Sequence, residues 1–188
     1  MRKITKYRFD YLGYDTNMLK LIGRGHEGKV YLLPNDKVLK VFHNPNSCAR
    51  QVKILLKAQN SRFFPTVFGY DKYSIIMSFV YGSPLSIYLK QNNISKHLSH
   101  ELVHLIDEFK RLHFTKLDMR LGHIFLQPNE TIKVIDPRGS YDKKRPYPKS
   151  MLRGLQRRGE LGNFFDYIKY DYPNYYNYWR KMKSKDRH

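Results

Sequence analysis

Cysteine is nearly absent from the chain: Cys48 stands alone among 188 residues. That excludes an intrachain disulfide, and it excludes Cys-rich zinc and iron–sulfur sites. Long apolar runs are missing too. The longest, Tyr73 to Tyr81, is interrupted by serines and is far too short to span a bilayer. The opening MRKITKYRFDYLGYD has no apolar stretch resembling a signal-peptide core. These absences predict a soluble, cytoplasmic protein. Acidic residues are scarce, with none anywhere between Asp36 and Asp71. Sixteen Asp and Glu face thirty-five Lys and Arg, a net charge of +19, which favours polyanionic partners over acid-poor ones. No internal repeat or long low-complexity linker is visible.

Forty-one per cent of the residues are hydrophobic, enough for a packed core in one domain or in two small lobes sharing a cleft. The first eighty residues alternate short β-rich runs (Lys29–Leu33, Val38–Phe42, Ser74–Val80) with Gly, Pro and Asn punctuation. One helix is expected from Ser47, as N-cap, to about Gln59. A second should cover Ser99 to Leu112, where Leu98, Leu102, Leu105, Phe109 and Leu112 form one narrow apolar stripe. Ile124–Leu126 and Ile132–Ile135, joined by Gln-Pro-Asn-Glu-Thr, read as a hairpin. The last third reads as helical, with Phe164, Phe165, Tyr167, Tyr175, Tyr176, Tyr178 and Trp179 expected to pack rather than to stack on bases. The fold class is therefore α+β. An antiparallel N-terminal sheet with one helix occupies residues 1–80, a mainly helical part residues 81–179, and a flexible tail residues 180–188.

Several segments carry the residue types of phosphate chemistry. Gly23-Arg-Gly25-His-Glu-Gly28-Lys-Val30 lets backbone N–H groups approach phosphates where a Cβ would clash, with Val30 able to cover an adenine face. Val38-Leu39-Lys40-Val41 sets a lysine among apolar strand neighbours. Leu117-Asp118-Met-Arg120-Leu-Gly122-His123 and Val134-Ile135-Asp136-Pro-Arg138 set two carboxylates on loops flanking the hairpin. One carboxylate could meet an attacking hydroxyl and the other a magnesium ion.

In this order, across residues 22 to 139, the motifs resemble the protein-kinase-like superfamily. The shortness of the chain and the lack of an Ala-Pro-Glu element make it similar to the RIO kinases, the KEOPS-complex kinase and the short RIO-like serine/threonine kinases of bacteria. The resemblance implies ATP with Mg²⁺ or Mn²⁺ as cofactors. Gly23, Gly25, Gly28, Val30, Val38, Lys40, Met77, Ser78 and Phe79 would bind nucleotide, Met77 as gatekeeper and the backbone at Ser78 and Phe79 on the adenine. Asp118 would accept the proton of the substrate hydroxyl, Arg120 would neutralise the transferring phosphoryl group, and Asp136 would bind the metal.

The departures are specific. Gln51 stands where the family has a glutamate to pair with the lysine. That leaves Gln51, Asp136, Glu27 or the phosphates to orient Lys40. His123 replaces the expected metal-binding asparagine, and imidazole is a poor magnesium ligand. A histidine here is similar to the lipopolysaccharide sugar kinases. The acceptor is thus expected to be a protein serine or threonine, with a small molecule or glycan as the alternative and an ATP-binding pseudokinase as a third reading. The block from Lys143 to Arg158, seven cations without an acid, is expected to dock an acidic partner such as RNA or the ribosome. His100-Glu-Leu-Val-His104 spells a zinc-protease motif. Its histidines, however, lie about 200° and 240° round the helix from Leu98, which predicts solvent-facing side chains and no zinc.

Overall fold

The computed structural model describes residues 10–185, so the expectations for residues 1–9 and for the last three residues of the tail fall outside the described residues. The chain is α+β and divides into two compact units. One comprises the chain up to Asn60 together with Pro65–Phe79; the other comprises Ser61–Phe64 and the chain from Val80 onward. Among the described residues no helix is long and apolar enough to cross a membrane.

The first unit opens with a small ladder of β1 (Asp10–Tyr11) and β2 (Tyr14–Asp15). It continues with β3 (Leu21–Arg24), β4 (Gly28–Leu33), β5 (Lys37–Phe42), helix α1 (Pro45–Lys57), β6 (Val67–Tyr70) and β7 (Ser74–Ser78). The five strands from β3 to β7 form one antiparallel sheet in the order β3-β4-β5-β7-β6. Alternation along β4 and β5 sends Tyr31, Leu33 and Leu39 to one face, where Tyr11, Leu12 and Tyr14 pack on them. Helix α1 begins earlier than Ser47. Asn44 is the cap, its side chain accepting from the Asn46 N–H at 2.8 Å, and Pro45 supplies a preset φ at the first helical position.

The second unit contains β8 (Ser83–Pro84), α2 (Leu85–Tyr88), α3 (Lys96–Arg111), β9 (Ile124–Leu126), β10 (Ile132–Val134), α4 (Lys149–Arg157), α5 (Leu161–Ile168) and α6 (Pro173–Lys185). A 3-10 turn at Leu121–His123 leads into β9. β9 and β10 form the expected hairpin, and β8 extends it to three strands. Helix α3 starts before Ser99: Ser95 caps it through the Leu98 N–H, while Ser99 is buried and bonds back to the Ser95 carbonyl. Its burial is broader than one narrow stripe, since Glu101, Val103 and Ile106 are covered as well. The reason is a bidentate ion pair of Glu101 with Arg62 (2.6 and 2.7 Å), which lets a carboxylate sit inside.

In α5 and α6, Phe164 and Trp179 stack with centroids 6.1 Å apart and are fully buried, the packing role expected of them. Helix α6 runs on to Lys185, so the polar tail stays helical past Arg180.

Candidate functional site

In the first unit Lys40 and Val30 are cross-strand partners, as are Val38 and Met77, so these four residues share the face of the sheet opposite Tyr31 and Leu39. Lys40 is buried, and its Nζ donates to Gln51 Oε1 at 2.7 Å. Gln51 is presented by α1, which turns Cys48, Val52 and Leu55 inward with it. Among the orienting partners the sequence leaves open, Gln51 is therefore in direct contact with the lysine.

The glycine segment forms the β3–β4 turn, closed by a 2.9 Å bond from the Gly25 N–H to the Gly28 carbonyl. Its glycines are unequal. A Cβ on Gly28 would overlap the Val41 carbonyl, so Gly28 serves strand packing, whereas Gly25 has open space around it and Gly23 only an ordinary contact with Val30. At the end of β7 the Ser78 N–H donates to Thr66 O and the Phe79 N–H to Asp36 O. Those two N–H donors are used within the protein.

In the second unit Asp118, Arg120, His123 and Asp136 line one cavity of about 290 Å³. The loops that build it are tied together by backbone bonds. Thr115 and Lys116 donate to Ser140 O, Leu117 donates to Arg145 O, and Ile135 donates to His123 O. Asp118 is buried, and its Oδ1 accepts from the Ser150 and Met151 N–H groups at 2.9 and 3.3 Å, in the first turn of α4. Asp136 has φ of 53°, a left-handed conformation that costs a non-glycine residue about 1 kcal/mol or more and gathers at functional sites. Its Oδ2 accepts from Arg138 Nε at 2.7 Å.

The cavity also takes Lys116 and Arg138, together with Lys143 and Arg145 from the block expected to dock an acidic partner, none of them among the residues expected to bind nucleotide or carry transfer. Arg138 was legible as the second residue after Asp136; the other three reach the cavity through loop pairing that no local pattern announces. Lys116 Nζ donates to the Arg138 carbonyl at 2.8 Å.

Burial raises the Asp118 carboxyl above its ordinary value, opposed by the Ser150 and Met151 bonds and by Lys116. Burial lowers His123, with the charge of Asp136 opposing. Burial also lowers Lys116, opposed by Asp118. An acid pushed up beside bases pushed down is the arrangement expected where protons move.

Magnesium asks for oxygen ligands and accepts one or two carboxylates completed by water and substrate phosphates. Asp136 fits that role, with Arg138 as the cation that must yield. His123 does not fit. Among the described residues no three His, Cys, Asp or Glu side chains converge as a metal cage.

The His-Glu-x-x-His segment is differently employed. Burial of Glu101 is offset by Arg62, so its carboxylate is engaged rather than offered as a base. His104 is exposed, as expected, whereas His100 is partly covered. His100 Nε2 lies 3.1 Å from Asp171 Oδ2, His104 Nε2 is 2.8 Å from the Tyr172 hydroxyl, and both rings meet Tyr172 edge-on. The connection after α5 folds back over this side of α3, which helix periodicity could not reveal.

No model of a known protein family matches the chain, and no curated protein matches it in sequence.

Proposed function

We propose that the protein is an ATP-dependent phosphotransferase of two-lobed, kinase-like architecture, moving the γ-phosphoryl group of ATP to a hydroxyl, in first place that of a protein serine or threonine. The observation that supports it most is the single cavity holding a buried, proton-seeking Asp118 beside Asp136, Arg120 and His123. In this reading Lys40 binds the α- and β-phosphates, with the Gly23–Gly28 turn, Val30, Val38 and Met77 on the rest of the nucleotide. Asp118 takes the hydroxyl proton as the new O–P bond forms and the bond to the β-phosphate oxygen breaks, releasing ADP. Arg120 offsets charge on the transferring group. Asp136 would hold Mg²⁺ or Mn²⁺, which when bound neutralises the phosphate oxygens.

A second reading, transfer to a phosphorylated small molecule, is favoured by an arginine-lined cavity that adjoins this site through Arg120 and Ser150. An acidic macromolecule such as RNA on the Lys143–Arg158 block remains a proposal for the partner.

The test is incubation with γ-labelled ATP and magnesium or manganese, followed by analysis of the protein for label. Metal-dependent self-phosphorylation that Asp118→Asn abolishes supports the reading. Label absent with both metals, together with no rise in melting temperature at millimolar ATP, overturns it.

A further inference from the structure

The seven cations between Lys143 and Arg158 do not form one strip. Lys143 and Arg145 line the cavity that holds Asp118, whereas Arg153, Arg157 and Arg158 line a second one of about 500 Å³, with Arg120 and the Ser86 hydroxyl. The difference follows from α4. Its buried side is Met151, Leu152 and Leu155; Arg153 and Arg157, four residues apart, share the exposed side, and Arg158 caps the helix.

Two glycines shape this second cavity. A Cβ on Gly154 would come within 2.8 Å of Leu121 Cγ and Cδ1, so the missing side chain lets α4 pack close to the 3-10 turn that carries Arg120. A Cβ on Gly122 would reach 3.4 Å from Ser86 Oγ, so its absence keeps the hydroxyl accessible.

We propose that this cavity is a binding site for the phosphate group of a phosphorylated small molecule. Among the described residues every cation lining it is arginine, and no acidic side chain contributes. Guanidinium groups meet phosphate oxygens in paired, directional bonds that a lysine point charge does not reproduce. Four guanidinium groups around one concavity repel each other, and a doubly charged monoester relieves that repulsion more than a singly charged diester does. The volume matches small ligands, for which pockets run from about 300 to 1,000 Å³. Nucleic acid asks instead for a continuous basic track, and the block is divided between two concavities. Arg120 and Ser150 belong to both cavities, so a ligand held here by its phosphate has its other end directed to the cavity of Asp118. The binding claim stands without the transfer reading; only the direction of the ligand's far end uses it.

The experiment is calorimetric titration and thermal shift of the full chain with inorganic phosphate, pyrophosphate and ribose 5-phosphate, at constant ionic strength. A matched RNA oligonucleotide with a 5′-hydroxyl is run alongside. The expected result is saturable one-to-one binding of the phosphate compounds. Arg153→Gln with Arg157→Gln weakens it at least about tenfold, the loss expected for charge-assisted bonds. Lys143→Gln, in the other cavity, leaves it unchanged, and so does Asp118→Asn, which removes transfer; a protein that binds phosphate but never transfers it refutes only the enzymatic reading. Both arginines are exposed, and unchanged melting of the double variant excludes misfolding as the cause. Binding that is not saturable, or that survives the double substitution, overturns the proposal. RNA binding tighter than any phosphate compound, with a steep salt slope, overturns it in favour of a polyanion surface.

Discussion

Lys40 and Gln51 meet inside the first unit through a 2.7 Å hydrogen bond from ammonium to amide oxygen. Through this bond a neutral amide oxygen satisfies part of the hydrogen-bonding demand of a buried ammonium. Gln51→Ala removes that acceptor and is expected to destabilise the protein by about 1–3 kcal/mol. Gln51→Glu forms a charge pair whose gain is largely offset by desolvation, so its stability stays within about 1 kcal/mol of wild type. Its nucleotide affinity is expected to fall, because the new carboxylate competes with a phosphate for the ammonium. Urea melts and ATP titrations of both variants check this. Wild-type behaviour of Gln51→Ala in both measurements would show that the amide does not orient the lysine.

Under the proposed reading Asp118 has two separable duties, accepting the first-turn N–H groups of α4 and taking a proton. Asparagine retains a carbonyl oxygen for the Ser150 and Met151 N–H groups, whereas alanine does not. Asp118→Asn is expected to fold normally and to lose transfer, and Asp118→Ala to lose in addition about 1 kcal/mol of stability. The pH dependence has a definite sign. A carboxyl whose value is raised in the folded state favours folding while protonated, and that contribution is lost as pH rises from the ordinary aspartate value through the raised one. Melting temperatures against pH should therefore show a fall in wild type, relative to Asp118→Asn, across that window. Parallel curves would place the Asp118 carboxyl at its ordinary value.

Under the proposed reading a metal ion would have to displace Arg138 from Asp136. Asp136→Asn should abolish the metal-dependent part of the ATP-induced rise in melting temperature. Arg138→Gln should move that rise to lower magnesium concentration, since it removes the guanidinium from Oδ2. Magnesium titrations followed by thermal shift distinguish the two, and equal responses in both variants would remove Asp136 from the metal site.

Cys48 lies three residues from Gln51 on the buried side of α1, and burial, with the charge of Asp71 adding, pushes its thiol up to about 11. Its thiolate at pH 8 is then about a hundredfold scarcer than that of an ordinary cysteine. Native labelling with a thiol reagent should be slower by at least that factor than in denaturant, and slower still with ATP bound. Fast native labelling would mean that α1 does not stay seated on the sheet.

Glu101 gives the opposite pH sign to Asp118. Burial pushes its carboxyl up, but the bonds and charge of Arg62, with His104, outweigh this and hold it below the usual range. Its contribution is present above the ordinary glutamate value and is lost as pH falls through the lowered one. Arg62→Ala should remove that acid-side transition and lower stability, by less than a fully enclosed pair would because half of the Arg62 side chain is exposed. An unchanged acid melt would show that the pair is not coupled to folding.

Elements whose signal is local were legible in the sequence. The β9–β10 hairpin has its turn residues between two short, largely apolar runs, and the strands around Lys40 are β-rich runs set off by turn residues. Helix starts were misplaced by three residues: Asn44, followed by proline, caps α1 in place of Ser47, and α3 begins at Lys96 after its cap Ser95, with Ser99 buried inside it. The candidate site was legible wherever a residue sits in a motif, as Asp118, His123 and Asp136 do. Lys143 and Arg145 were legible only as part of a basic block, and their place beside Asp118 was not, since it depends on pairing between loops about thirty residues apart in the chain. The solvent-facing reading held for His104 and fell short for His100 for a similar reason: periodicity describes a helix alone, and Asp171 and Tyr172 come from elsewhere.

Ser61–Phe64 belongs to the second unit although the chain on either side of it belongs to the first. Phe64 packs against Phe109 and Phe114, the Phe63 carbonyl accepts from the Val134 N–H at 2.8 Å, and Arg62 holds Glu101. A polypeptide emerging from the ribosome therefore delivers one piece of the second core long before the rest of that core exists. The five strands of the first sheet can pair once Ser78 has appeared, with a large aromatic side chain still waiting for its partners. The gene, for its part, cannot be cut at a single point into two self-sufficient fragments. A product beginning at Val80 would carry a hole the size of a phenylalanine, and its companion ending at Phe79 would carry the phenylalanine exposed.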